Sequence, residues 1–402
     1  MLTGTNSDAV ELPREGFDAS QTTFPEFLEK IFARYVAEVK SLDDPRFPEL
    51  CLKIRISMRE LTDLSASIQT GVGTYLSGHS QSAYQQIATM LETLDLGPLY
   101  MILTESESSL SLSDPFSPYL HAILHPPLYR IRSDRDDFKT PDRGDIFHVP
   151  FEKRQLVGNQ RYRIAGLPCL HLGSSVWICW EELGRPALDS VWVSSFRLAN
   201  PVTVLDLQFP PHHVWRIFEA LQVGSPSALA LDSETQLKSR FCPDSLVAFI
   251  LCWPLIAACS IKSESRVVVF FPEYILPQIL LQWAMTQGAV DGIRYFSSRM
   301  PSNGLHLIAH SNCVFPVRVS SARGHCNHLR KLFALTEPVS WELLSATNFG
   351  EGNRVDSSPN RFAFIQMNKD LSLGYSQTHF ASIESKLAEI ESRPGCSRPL
   401  DS

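Results

Sequence analysis

Residues 161–186 read RYRIAGLPCLHLGSSVWICWEELGRP, and they carry most of what the chain says about its fold. Gly166-Leu167-Pro168 is a turn signal, since proline fixes φ and glycine frees it. CLHLG then alternates like a short strand, and SSVWIC continues in β-like fashion. Arg161 and Tyr162 precede this run, and Glu181-Glu182 follow it at about one helix-length. An arginine and a carboxylate joined through such a unit can hold a phosphorylated sugar. The guanidinium takes phosphate oxygens in pairs, while the carboxylate meets hydroxyls or developing positive charge. The same residue types also suit an ordinary ion pair.

Around this stretch, LYRIR, IFHVPF, VSSF and VTVLDLQF read as further short strands. Helical patterns at about 211–221, 244–260 and 277–287 are interspersed among them, so the expected fold class is α+β. Upstream, Thr23 and Glu26 form a capping box, and Phe27, Ile31, Phe32, Tyr35, Val36 and Val39 recur at helical spacing. Further helical patterns cover about 48–68 and 81–94, which makes a small three-helix bundle suited to scaffolding or partner docking. Gly71 and Gly73 follow no strand and are read as ending a helix, not as a phosphate loop.

The expected organisation is a disordered arm at 1–20, the helical bundle at 21–104 and a serine-rich linker at 105–125. The main domain follows at 126–345. A C-terminal extension at 346–402 holds a polar insert, a weak strand at 362–367 and a short charged helix at 382–390, with its last dozen residues frayed.

Composition excludes some function classes. A formal net charge of −7 argues against nucleic acid as a partner, because phosphate neutralisation needs a surplus of lysine and arginine. The 9 cysteines are odd in number and mostly lie in apolar runs, which reads as reduced thiols in the cytoplasm. The N-terminus lacks the pattern of a signal peptide. The most apolar run, LVAFILCWPLIAAC at 246–259, would reach only about 21 Å as a helix, short of the roughly 30 Å of a bilayer core. Pro254 inside it predicts a kinked or broken core helix. No metal site is expected: His325, Cys326 and His328 lack a partner pair at zinc spacing, and His212-His213 read as capping or surface residues.

Several separated motifs, in order, resemble the RES domain family, named for its arginine, glutamate and serine. They are PPLYRIR with Arg130, RYRIAGLPCLHLGSS, WEELGRP, VLDLQF, PEYILPQILLQW and DGIRYFSS. The resemblance covers roughly residues 126–335 and implies a fold similar to the diphtheria-type ADP-ribosyltransferases, with NAD as substrate and no cofactor. Known members are mostly bacterial toxins that release nicotinamide by hydrolysis or by phosphorolysis with inorganic phosphate; others ADP-ribosylate a protein. Carried over, the family pattern maps onto Arg130, Arg161, Glu182 and Ser297.

Glu182 is chosen over Glu181 because it stands eleven positions after His171, which occupies the slot of a family tyrosine that lines the nicotinamide pocket. Ser297 is chosen over Ser298 by its place after Tyr-Phe. Arg161, Glu182 and Ser297 are thus the expected catalytic groups, and Arg130, Tyr162, His171, Glu181, Ser298, Tyr274 and Gln278 are expected to line the substrate site. The resemblance also points to an Xre-type antitoxin or another protein as partner, engaged through the N-terminal helical bundle. Two alternatives stay open: a degenerate module that binds a nucleotide or a partner without turnover, and ADP-ribosyl transfer to a macromolecule.

Overall fold

The computed structural model describes residues 16–43, 45, 47–105, 125–133, 140–208, 242–263, 269–297, 311–347, 364–366 and 372–400. The chain begins with α1 (Phe24–Lys40), α2 (Pro48–Ile56), α3 (Met58–Leu76), α4 (Ser80–Thr93) and β1 (Tyr100–Leu103). It continues through β2 (Leu128–Ser133), β3 (Cys169–Gly173), α5 (Val176–Glu182), β4 (Val191–Leu198) and β5 (Val202–Asp206). Next come α6 (Pro243–Leu251), α7 (Trp253–Ser260), α8 (Ile275–Thr286), β6 (Gly292–Phe296) and β7 (Ser311–Pro316). It closes with β8 (Phe333–Thr336), β9 (Val339–Ser340), β10 (Phe364–Gln366), β11 (Ser372–Gly374), α9 (His379–Ser392) and β12 (Ser397–Pro399). The fold class is α+β.

Two compact units share these elements. The first draws on Met1–Tyr100, Gln160–Tyr162 and Asp206–Trp283, and the second on Met101–Asn159, Arg163–Leu205 and Ala284–Ser402. The sequence boundaries run differently. The helical unit includes α6 and α7 from the stretch assigned to the main domain, while residues 101–103 leave the bundle as strand β1.

The helical unit is built as its apolar spacing dictates. Thr23 caps α1 reciprocally with Glu26, and Leu28, Ile31, Phe32 and Tyr35 are buried on one face. Tyr35 stacks on Trp253 with ring centroids 3.9 Å apart and donates to the Ile250 carbonyl at 2.8 Å. The pattern at 48–68 is two helices, not one, broken at Ser57. Gly71 lies inside α3 instead of ending it. A Cβ there would stand 2.7 Å from Ile87 Cγ1, so the missing side chain lets α4 approach. The apolar run at 246–259 breaks at Cys252 into α6 and α7, bent by 49°, with Pro254 in the first turn of α7 where its missing N–H is harmless. Among the described residues no single helix is long and apolar enough to cross a membrane. Phe17, expected in a disordered arm, is buried against Phe24 and Phe27, and its N–H donates to the Lys262 carbonyl at 2.8 Å.

The sheet unit holds, among the described residues, a ten-stranded sheet in the order β1-β5-β6-β7-β3-β2-β4-β8-β12, with β9 beside β4. From β6 to β12 each neighbouring pair is antiparallel. IFHVPF is not a strand: a short helix, Arg143–Ile146, and a 3-10 turn, Phe151–Leu156, take its place. SSVWIC is not one either. Ser175 accepts from Ile178 N at 3.1 Å and caps α5, and this local bond outweighs the β preference of Val and Ile. The weak strand is β10, paired with β11, and the charged helix is the longer α9. Within the last dozen residues, expected to fray, Ser397, Arg398 and Pro399 pair with Thr336, Leu335 and Ala334. The expected helix at 211–221, His212-His213, Ser298, and most of the serine-rich linker and the polar insert lie outside the described residues.

Candidate active site

The site grows from β3. Side chains alternate along a strand, and opposite residues of an antiparallel pair share a face. Cys169, His171 and Gly173 therefore share a face with Pro316, Val314 and Asn312 of β7, and with Ile293 and Tyr295 of β6. Helix α5 lies against this face. A Cβ on Gly173 would stand 2.5 Å from Ile178 Cγ2 and 2.6 Å from Cys179 Sγ, so only glycine permits that approach. Two bonds fix the start of α5: the Ser175 cap, and Val176 N–H donating to Glu384 Oε1 of α9 at 2.7 Å. Tyr375 donates to the same Glu384 oxygen at 2.5 Å, and Glu384 is buried.

The two glutamates at the end of α5 diverge. Glu181 is buried inside its own neighbourhood: Trp177 Nε1 donates to Oε1 at 3.1 Å, and Arg185 Nε donates to Oε2 at 2.9 Å. Glu182 turns to the sheet. Ser297 Oγ donates to Glu182 Oε1 at 2.5 Å, and Asn312 Nδ2 donates to the same oxygen at 2.9 Å. Both donors are buried, at 1% and 5% exposure, while Glu182 is half-buried. Two neutral donors on one oxygen fix the direction of a carboxylate that stays accessible.

Next to this group the sheet opens. β2 and β3 share one register pair, Tyr129 with Gly173, and Arg130 Nη1 donates to the His171 carbonyl at 2.9 Å. Burial lowers the Arg130 guanidinium to about 10, and the charges of Arg163 and Arg132 act in the same direction. Among the described residues no carboxylate forms an ion pair with Arg130. His171 is pushed well below the usual imidazole value, first by burial and then by Arg163 and Arg130, so its ring is neutral at pH 7. Its Nε2 is buried with no hydrogen-bond partner among the described residues. The charge of Arg163 acts on His171, and Arg163 is itself influenced by Cys169 and Tyr295.

The remaining candidates gather elsewhere. In the helical unit, Arg161 donates to the carbonyls of Cys259 at 2.9 Å and Ile261 at 2.5 Å, closing the C-terminal end of α7. Its guanidinium lies 5.2 Å from the centre of the Tyr274 ring. Gln278 donates to the Gln160 carbonyl at 2.9 Å, and Tyr162 is buried against the Cys259 thiol. These four residues belong to one local structure that holds residues 160–162 to the helices. Arg130, His171, Glu182 and Ser297 belong to the sheet unit.

Two residues of the site escape sequence reading. Asn312 is a buried amide next to buried Ser311 in the strand SNCVFP, and a polar pair opening an apolar strand is the signal that marks it. Arg163 differs from Arg161 by two positions in RYR, and nothing in local spacing separates them. The histidine group has other engagements. His148 Nε2 accepts from Cys326 N–H at 2.8 Å, the His325 ring packs edge-on against His148, and His328 Nε2 lies 3.3 Å from Asp291 Oδ1. No group of three or more His, Cys, Asp or Glu among the described residues is placed to hold a metal ion. All nine cysteines are free thiols.

Over 323 residues the chain is 28% identical to a Bacillus subtilis (strain 168) protein named "Putative toxin YopC". The similarity spans 79% of this chain and 65% of that protein, less than two thirds of the relative's length. No family model matches the chain, and no solved structure matches it.

Proposed function

We propose that the sheet unit is a RES-type site that binds NAD and breaks its nicotinamide–ribose bond, in a protein with toxin-like physiology. The observation that carries this reading is the convergence of Ser297 Oγ and Asn312 Nδ2 on Glu182 Oε1. The sequence motifs and the toxin-named relative support it.

As the bond breaks, its electron pair passes to the nicotinamide ring nitrogen and neutralises the pyridinium, while positive charge develops on the ribose. A carboxylate beside the ribose steadies that charge and holds a hydroxyl. Glu182 takes this role, and Ser297 and Asn312 aim it. Water then captures the ribosyl cation, giving ADP-ribose, nicotinamide and a proton; inorganic phosphate in its place gives the ribosyl phosphate. Arg130 holds the pyrophosphate. We assign the second phosphate contact to Arg163, because the donors of Arg161 close α7. His171, neutral and with an unpartnered Nε2, faces the nicotinamide.

The test is nicotinamide release by the purified chain incubated with NAD, with and without phosphate. Release is expected, and Glu182→Gln should lower it by about 100-fold or more. Absence of both release and NAD binding overturns the proposal. Binding without release identifies a nucleotide-binding module, and label from NAD appearing on protein identifies transfer.

A further inference from the structure

In the helical unit, α2, α3, α4 and α6 leave an open cleft of about 810 Å³. Its floor is apolar: Leu64 of α3, Met90 of α4, and Val247 and Leu251, one turn apart on α6. Val247 and Leu251 remain half-buried, and Ile56 at the lip is 73% exposed. An unclosed apolar floor with an isoleucine standing in water at its mouth marks a surface made to be covered.

The rim says by what. Glu60 and Asp63 line one side, Asp95 and Asp244 the others, and Lys53 is the cation among the lining residues. Four carboxylates thus face one ammonium, and that ammonium is engaged with Asp244 at 2.6 Å. Among the described residues Asp63 has a solvated pair with Arg59 at 3.7 Å. A neutral or acidic occupant would strip water from these carboxylates and return nothing. A second copy of the chain would set one acidic rim against another, and nucleic acid would be repelled.

We infer that this cleft docks an amphipathic helix of a protein partner, with apolar residues at i, i+3, i+4 and i+7 on the floor and lysines or arginines against the rim. This is helix-in-groove recognition, in which the floor supplies affinity and the rim sets orientation and on-rate. It is independent of the chemistry proposed for the sheet unit.

The test uses the full chain and a fluorescein-labelled, 18-residue helical peptide of leucine and lysine with that spacing, followed by anisotropy at 150 mM salt. Saturable binding is expected. The double change Glu60→Lys with Asp63→Lys should weaken it at least tenfold, and Leu251→Gln should do the same. Glu342→Lys, an exposed charge reversal in the other unit, should leave it unchanged. The rim carboxylates are exposed, so the double variant should keep the wild-type circular dichroism and melting curve. No binding, equal binding by a peptide with glutamate in place of lysine, or equal loss on Glu342→Lys would overturn the inference.

Discussion

The helical unit and the sheet unit use their buried polar groups differently. In the first, aliphatic side chains and stacked rings such as Tyr35 on Trp253 surround buried Asp206, Gln208 and Glu273, and Arg161 is used to close a helix. In the second, Ser297, Asn312, Glu181, Glu384, His148 and Arg294 are all buried among the strands. Burying a polar group costs stability unless it is bonded, and even then apolar packing serves as well. A fold that aims buried polar donors at one half-exposed carboxylate therefore departs from what stability alone selects.

The largest expected effect breaks or keeps that contrast within two adjacent residues. Glu182→Gln should lower nicotinamide release by about 100-fold or more with an unchanged melting temperature. Glu181→Gln should leave turnover within a few-fold and lower the melting temperature instead, because it breaks the ion pair with Arg185. The reverse result would move the site to the other face of α5.

Next is acid sensitivity, which should belong to the sheet unit. His148 Nε2 accepts the Cys326 N–H, so the proton resides on Nδ1, which donates to the Val149 carbonyl. Burial holds this imidazole down at about 4, against the unperturbed 6.5. A histidine whose folded pKa is depressed contributes stability that is complete above the unfolded value and is lost as pH falls toward the folded one. Between pH 7.5 and pH 5 the loss should be about 2 kcal/mol. His171 shifts in the same direction and adds to it. Urea unfolding at the two pH values checks this, and the pH-dependent part should shrink in His148→Gln. A stability that stays flat over this window would sink the prediction.

The smallest effect separates two arginines. Arg163→Gln should raise the KM for NAD by about tenfold, the size of one lost charge-assisted phosphate contact. Arg161→Gln should instead cost about 1 kcal/mol of stability and leave KM unchanged, as expected for a helix-end contact. Equal KM effects would return Arg161 to the substrate.

Much of this organisation was legible in the sequence, and the illegible parts have physical causes. The capping box and 3.6-residue spacing of α1 are local signals, and local structure follows them. Gly71 is different: its role depends on Ile87 sixteen residues away, and no window around it reveals a neighbour helix. SSVWIC reads as strand by composition, yet the Ser175 hydroxyl decides for helix. At the site, a fixed count from His171 singled out Glu182, and this is the carboxylate that Ser297 meets. Arg161 and Arg163 are identical in type and two residues apart, so only the tertiary fold separates them, Arg161 into the helical unit and Arg163 into the sheet unit. Asn312 shows as a polar residue in a strand, but its partner lies 130 residues away and local sequence does not name it.

The bond between Val176 N–H and Glu384 joins residues 208 positions apart. During synthesis, α5 emerges with its Ser175 cap but without the carboxylate that pins its first turn, and it stays so until α9 has left the ribosome. β12, which pairs with β8, is made later still. The first turn of α5 is therefore among the last parts of the molecule to be locked, and a chain interrupted before α9 lacks the carboxylate that pins it.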